Sequence, residues 1–262
     1  MIKEGIVQCE RIGKIGIIRF NKPPLNIGVE HSQECGEAIK WAETETDLNV
    51  IVFCANGKIF GAGADMAATY EYLKRGDFVS GKMDYVIKLN DRIANLPMVT
   101  IAALDGAAYG GALELALACD LRILAEPVSV SLTEVNFGTF PGAGGVHRIV
   151  SLMGYSVAAE HLFFARHMTA QEALQYHVAN AIAVDVTAFD MAMQWAKELE
   201  EKPTTGIRAI KAALASISGQ NIKYQHQVQQ RIMQTVVDSG ALEQGAIEFL
   251  SKKKSKNNTE LK

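Results

Sequence analysis

Glu114 is the only charged residue in Gly110-Gly111-Ala112-Leu113-Glu114-Leu115-Ala116-Leu117-Ala118-Cys119. Its neighbours are so apolar that the segment must be a buried helix. A carboxylate in the first turn of such a helix complements the dipole and the free amides there. Burial also lifts a carboxyl pKa towards the range of a working acid or base, so the same residue is a candidate for proton transfer. A second carboxylate, Glu134, stands in Ser131-Leu132-Thr133-Glu134-Val135-Asn136, just before a run of glycines. Taken alone it reads as a solvated loop residue.

Three glycine-rich places accompany these carboxylates: Phe60-Gly61-Ala62-Gly63-Ala64-Asp65, Asp105-Gly106-Ala107-Ala108-Tyr109-Gly110-Gly111, and Gly138-Thr139-Phe140-Pro141-Gly142-Ala143-Gly144-Gly145. Glycine permits close approach and unusual dihedrals, so such loops can carry backbone amides to a ligand, or simply make tight turns. The sequence contains neither G-x-x-x-x-G-K-[ST] nor a G-x-G-x-x-G after a strand, which argues against a P-loop or dinucleotide site. Cys9, Cys35, Cys54 and Cys119 are too widely spaced for paired metal ligands and too few to staple the chain, and read as reduced, buried thiols. The histidines, His31, His147, His161, His167, His177 and His226, show no metal-binding spacing, and His147 reads as a surface or packing residue on a helix.

The elements that must position these residues follow from periodicity. Residues 11–20 alternate and stop at Asn21-Lys22-Pro23-Pro24, and residues 47–55 form a short apolar run ended by Asn56-Gly57. Both predict strands, as do residues 98–104 and 121–125. Residues 29–43 and 66–95 carry helical periodicity, and the strand-then-helix order predicts an α/β protein. Thr169 with Glu172 and Thr187 with Asp190 match the helix-start box in which a hydroxyl and a carboxylate satisfy orphan amides. From 203 to 250 the patterning is helical without a strand, and residues 252–262 form a polar tail expected to fray. The expected organisation is an α/β core over residues 1–200 and a helical, oligomer-forming region over 201–262.

Composition bounds the partners. The chain has 262 residues, 48% of them hydrophobic, and 26 basic against 29 acidic groups. A formal charge of −3 lacks the basic footprint that nucleic acid requires. The cluster of Lys252, Lys253, Lys254 and Lys256 could touch RNA, but reads as a solvated tail. No apolar run reaches the ~20 residues of a membrane span, and charges interrupt the N-terminal apolar residues, so a soluble, cytoplasmic or matrix-type location is expected.

Taken together, the three motifs resemble those of the crotonase superfamily, the enoyl-CoA hydratase/isomerases. The first loop looks like the family's F-x-A-G-A-D, the segment into Glu114 like its G-x-x-x-G-G-G-x-E-L helix start, and Glu134 to Gly145 like its P-E-x-x-x-G-x-x-P-G-x-G-G. The resemblance implies a spiral of strand-strand-helix turns, with C-terminal helices that assemble trimers or dimers of trimers. It implies an acyl-CoA thioester as substrate, with no metal or redox cofactor. It places the thioester oxygen between the backbone amides of Ala64 and Gly111, and the coenzyme or acyl group against Phe60, Ala62, Gly63, Ala64, Asp65, Gly110, Gly111, Pro141 and Gly142. An enolate oxygen needs preorganised donors, and Gly111 offers one where a helix dipole adds to it.

The carboxylates then decide the reaction. In a hydratase the resemblance assigns Glu114 mainly to activating water and Glu134 to the proton at Cα, whereas an isomerase works chiefly with the carboxylate at the Glu134 position. A non-catalytic or RNA-binding homologue is the remaining reading, against which both glutamates and both amide positions argue. The chain departs from the family pattern in four places. Met66-Ala67-Ala68 replaces a lysine often near the coenzyme phosphates, leaving Lys58, Lys74 or Arg75 for that contact. Asn136 and Phe137 replace aliphatic residues, Ser131-Leu132-Thr133 lacks a proline, and His147 replaces a glutamine. The acyl pocket wall is expected from residues 66–95 and from a neighbouring subunit's C-terminal helices.

Overall fold

A computed structural model describes residues 5–21, 26–27, 29–218 and 222–259. The Lys22-Pro23-Pro24 stop and the side chains of His31, His226, Lys254 and Lys256 lie outside what is described. The chain opens with β1 (Val7–Ile12), β2 (Ile15–Phe20), β3 (Asn26–Ile27) and α1 (Val29–Thr44), then β4 (Val50–Ala55), β5 (Ile59–Gly61), β6 (Gly63–Ala64) and α2 (Met66–Arg75). A π-helical turn, Phe78–Met83, leads into α3 (Asp84–Ala94), β7 (Val99–Leu104), β8 (Ala107–Tyr109) and α4 (Gly111–Ala118). Next come β9 (Leu121–Ala125), β10 (Ser129–Ser131), a 3₁₀ turn at Glu134–Phe137, α5 (Gly145–Met153), α6 (Tyr155–Phe164), β11 (Met168–Thr169), α7 (Ala170–Gln175), β12 (Ala181–Ala183) and α8 (Ala188–Glu200). Three helices close the chain: α9 (Thr204–Ser218), α10 (Ile222–Asp238) and α11 (Ala241–Thr259).

The main sheet runs β1-β2-β4-β7-β9-β12, parallel except for the β1–β2 hairpin. A second sheet runs β11-β10-β8-β5, and β3 pairs with β6. Successive pairs β4/β5, β7/β8 and β9/β10 each place one strand in either sheet before a helix, so the mixed α/β spiral is built as expected.

Period-two alternation explains the layers. On β4, Val50, Val52 and Cys54 face one cluster while Ile51 and Phe53 face another, and β7 divides Ile101 and Ala103 from Ala102 and Leu104 in the same way. The first cluster is covered by α8, whose Ala188, Ala192 and Ala196 recur every four residues and are fully buried, letting the helix lie close on the sheet. Asp105, in the second glycine motif, accepts hydrogen bonds from the N–H groups of Ala188 (2.5 Å) and Phe189 (3.2 Å), tying the end of β7 to the start of α8. Thr187 caps the same helix through the Asp190 N–H, and Thr169 forms the full reciprocal box with Glu172.

Three expectations need correcting. Residues 11–20 are not one strand, because Gly13, with φ +57°, turns the chain between β1 and β2. Residues 66–95 are not one helix, because Gly76 takes the left-handed conformation (φ 72°) and closes α2 with a hydrogen bond to the Leu73 carbonyl. The polar tail is not set off from the helices at 252, since α11 runs from Ala241 to Thr259.

Candidate active site

The first two glycine motifs meet at the sheet ends. Gly63 holds φ +88°, and a Cβ built on it would lie 2.8 Å from the Tyr109 carbonyl oxygen and 3.4 Å from the Gly111 nitrogen. Only glycine lets these backbones approach so closely. Gly110 turns with φ 53° and ψ −131°, its N–H donates to the Ser131 carbonyl (2.9 Å), and the next amide, that of Gly111, opens α4. The approach of Gly63 to Gly111 brings Ala64, one residue on, alongside the N-terminus of a helix. Both Ala64 and Gly111 line a single cavity of about 620 Å³, together with Glu114 and Glu134.

Glu114 projects from the first turn of α4 and is 3% exposed. Its Oε1 accepts from the N–H groups of Ala143 (2.8 Å) and Gly145 (2.9 Å), in the third glycine motif. That loop is itself held, because the Ala143 carbonyl accepts from Asn90 Nδ2 (2.9 Å) and Arg148 Nη1 (3.3 Å), and Arg148 pairs with Asp91 at 3.1 Å. A Cβ on Gly145 would fall 2.8 Å from Glu114 Oε1, so the contact depends on glycine there. Burial pushes the Glu114 carboxyl up to about 7, although the two amides and the nearby Arg148 pull it down.

Glu134 opens the 3₁₀ turn rather than lying in a solvated loop. Its Oε2 is out of reach of solvent and has no hydrogen-bond partner among the described residues, while Oε1 sits 3.2 Å from where a Cβ on Gly110 would be. A buried acceptor without a donor is costly in a finished structure, and it points to a group that the cavity's occupant satisfies. Burial, and then repulsion from Glu114, drive the Glu134 carboxyl well above its ordinary value. Two neighbouring buried carboxyls cannot both ionise, so near neutrality the pair keeps a proton. Glu114, with its two amide donors, is the better carboxylate, and Glu134 the better acid.

Of the residues expected against the substrate, Ala62, Gly63, Ala64, Asp65, Gly110, Gly111 and Gly142 line the cavity. Phe60 does not: it is 1% exposed and stacks edge-on against Phe20 in the core, where a large apolar ring belongs. Pro141 also lies behind the lining, packed beside Gly145. Asp65 lines the cavity but spends its carboxylate on capping α2, accepting from Ala67 and Ala68. Lys74 and Arg75 are engaged with Glu71 and Asp77, and Lys58 is exposed.

The wall was only partly foreseen. It draws on 66–95 as expected, and the chain's own C-terminal helices contribute Met233, Leu242 and Phe249. Lys82, in the π-helical turn, lines the cavity with no sequence motif to announce it; a lysine within a helical stretch reads as a solvent-facing charge. Cys9, Cys35, Cys54 and Cys119 are buried thiols outside any disulfide, and burial pushes those of Cys35, Cys54 and Cys119 up to about 12, which removes these three as nucleophiles near neutral pH. Among the described residues, no cluster of three or more metal-ligating side chains occurs, and no helix is long and apolar enough to cross a membrane.

The methylglutaconyl-CoA hydratase of Mus musculus mitochondria is 41% identical over 162 residues, 60% of this chain and 50% of that protein. The enoyl-CoA isomerase/hydratase fer4 of Mycosarcoma maydis is 34% identical over 63% of this chain and 60% of its own length, so the match spans half of the mouse relative and 60% of the fungal one. A carnitinyl-CoA dehydratase of Salmonella enteritidis PT4 is 33% identical over 77% of both chains. The fold matches the crystal structure of an enoyl-CoA hydratase from Bacillus halodurans with a TM-score of 0.86 at 19% identity, over 93% of this chain and 100% of that one. The family model for enoyl-CoA hydratase/isomerase matches residues 10–259, and the chain belongs to that family.

Proposed function

We propose that the protein is an enoyl-CoA hydratase, adding water reversibly to a trans-2-enoyl thioester to give the 3-hydroxyacyl thioester. The observation that carries this reading is the pair of glutamates, Glu114 buried and Glu134 half-buried with its Oε2 enclosed, lining one cavity with Ala64 and Gly111. The Ala64 and Gly111 N–H groups take the thioester oxygen and stabilise the charge that develops on it, where losing one donor typically costs ~2.7 to 4 kcal/mol. Glu114, as carboxylate, removes a proton from water as the oxygen attacks Cβ. Glu134, as acid, delivers a proton to Cα. Both groups end with their protonation exchanged, and solvent resets them. The mouse and Salmonella relatives, named for a hydration and a dehydration, support the same chemistry read in its two directions.

One observation favours a second reading. Glu114 is tethered by two amides whereas Glu134 Oε2 has no partner among the described residues, an arrangement that would serve an isomerase moving one proton with Glu134 alone. The test is a panel of trans-2-enoyl-CoA thioesters of increasing length, followed by loss of the conjugated absorbance with products identified by mass. Appearance of 3-hydroxyacyl products supports the hydratase; products with only a shifted double bond select the isomerase.

A further inference from the structure

Lys82 is a lysine inside a cavity wall. It is 6% exposed, and its Nζ donates to Thr69 Oγ1 (2.5 Å) and the Asp65 carbonyl (3.5 Å), in the first turn of α2. Its surroundings are otherwise apolar: Phe78, Met83 and Val86 line the same stretch of wall. The two acceptors are neutral, the ammonium has three donors, and among the described residues Lys82 makes no ion pair. Asp65 is the nearby carboxylate, but its Oδ1 already caps α2. A buried charge without a counter-charge is expensive unless something pairs with it.

We propose that Lys82 is a specificity residue which pairs with a second carboxylate on the acyl part of the substrate, so that the preferred substrates are monothioesters of unsaturated dicarboxylic acids. This rests on the acyl-thioester reading of the cavity above. Glu114, Glu134, Ala64 and Gly111 line the same cavity as Lys82, Met83 and Val86, so Lys82 is placed to meet the acyl part of a thioester held there. Burial lowers the amine only to about 8, which leaves it charged at neutral pH and in need of an anion. The coenzyme's phosphates are the other source of negative charge. They carry bulky hydration and belong at a cavity mouth, whereas Lys82 is enclosed.

The test compares length-matched pairs of enoyl thioesters that end in carboxylate or in methyl, from glutaconyl-CoA against 2-pentenoyl-CoA to trans-2-hexenedioyl-CoA against trans-2-hexenoyl-CoA. The protein should prefer the carboxylate member of at least one pair by roughly 10²-fold in kcat/KM, since a site built around a polar group rejects an analogue lacking it. In Lys82→Met that ratio should fall to about one or invert, and Lys82→Arg should retain part of it. A wild-type preference for methyl in every pair overturns the proposal. So does an equal loss on both members in Lys82→Met, which would mark a positioning role on the α2 turn or a phosphate contact. If no thioester of either kind turns over, the hydratase reading fails. The site is then judged by calorimetric binding of adipoyl-CoA against hexanoyl-CoA: tighter adipoyl binding that Lys82→Met abolishes upholds it, and equal binding overturns it.

Discussion

At the scale of single residues, the account turns on how two carboxyls share one proton. Glu114→Gln keeps the oxygen that accepts from Ala143 and Gly145, and Glu134→Gln keeps the shape of the 3₁₀ turn. Each should leave a folded protein that binds thioester, while lowering hydration by roughly 10² to 10⁴, the usual worth of a positioned proton transfer. Selective survival of isomerisation in Glu114→Gln would favour the one-carboxylate mechanism instead. Stability supplies an independent check. The Glu114 carboxyl titrates at about 7 in the folded chain and near the ordinary ~4.3 when unfolded. Between these values the native state holds the extra proton, so stability falls as pH rises through that window, by up to about 4 kcal/mol for this group. Glu114→Gln removes the titration, so its Tm should exceed that of wild type at pH 8, with the gap closing towards pH 5. Parallel Tm profiles for the two proteins would show that Glu114 carries no such burden. Its candidacy was legible in the sequence from one carboxylate in an apolar helix. The significance of Glu134 was not, since only the fold shows that its turn is packed against Gly110.

At the scale of elements, the parallel strands and the start boxes of α7 and α8 could be read from periodicity, because buried strands and helix caps write themselves locally. The β1–β2 turn and the break after α2 each hung on one glycine, Gly13 and Gly76, whose left-handed conformations leave no periodic trace. Lys82 escaped for a related reason: its burial is created by the π-helical turn that follows the break. Gly63 tests whether backbone approach, rather than any side chain, makes the oxyanion site. Gly63→Ala would force a Cβ against the Tyr109 carbonyl, and should lower kcat by about 10²-fold or more, as loss of one oxyanion donor does, with a smaller effect on overall folding. Unchanged turnover would separate that junction from catalysis. Asp105→Ala is the structural counterpart. It should cost roughly 1 to 3 kcal/mol by freeing two amides at the start of α8, seen as a lower denaturation midpoint, with kcat nearly unchanged.

At the scale of the whole molecule, the described surface carries large exposed apolar side chains. Tyr155, Phe163 and Phe164 on α6 are 75, 72 and 70% exposed, and Ile210 and Leu214 on α9 are 64 and 57% exposed. Apolar surface of this kind calls for cover, and closed symmetry is the usual form that cover takes in a homo-oligomer. A trimer or dimer of trimers is the expected state by light scattering, and Phe163→Asp combined with Phe164→Asp should dissociate it; a monodisperse, fully active monomer would contradict this. The central claim, that these parts add water across a conjugated double bond, is tested most directly by turning over a trans-2-enoyl-CoA in oxygen-18 water and weighing the product. The expected result is a 3-hydroxyacyl thioester carrying one oxygen-18 atom from the solvent. A product that is consumed and released with its double bond moved and no solvent oxygen gained would contradict the account.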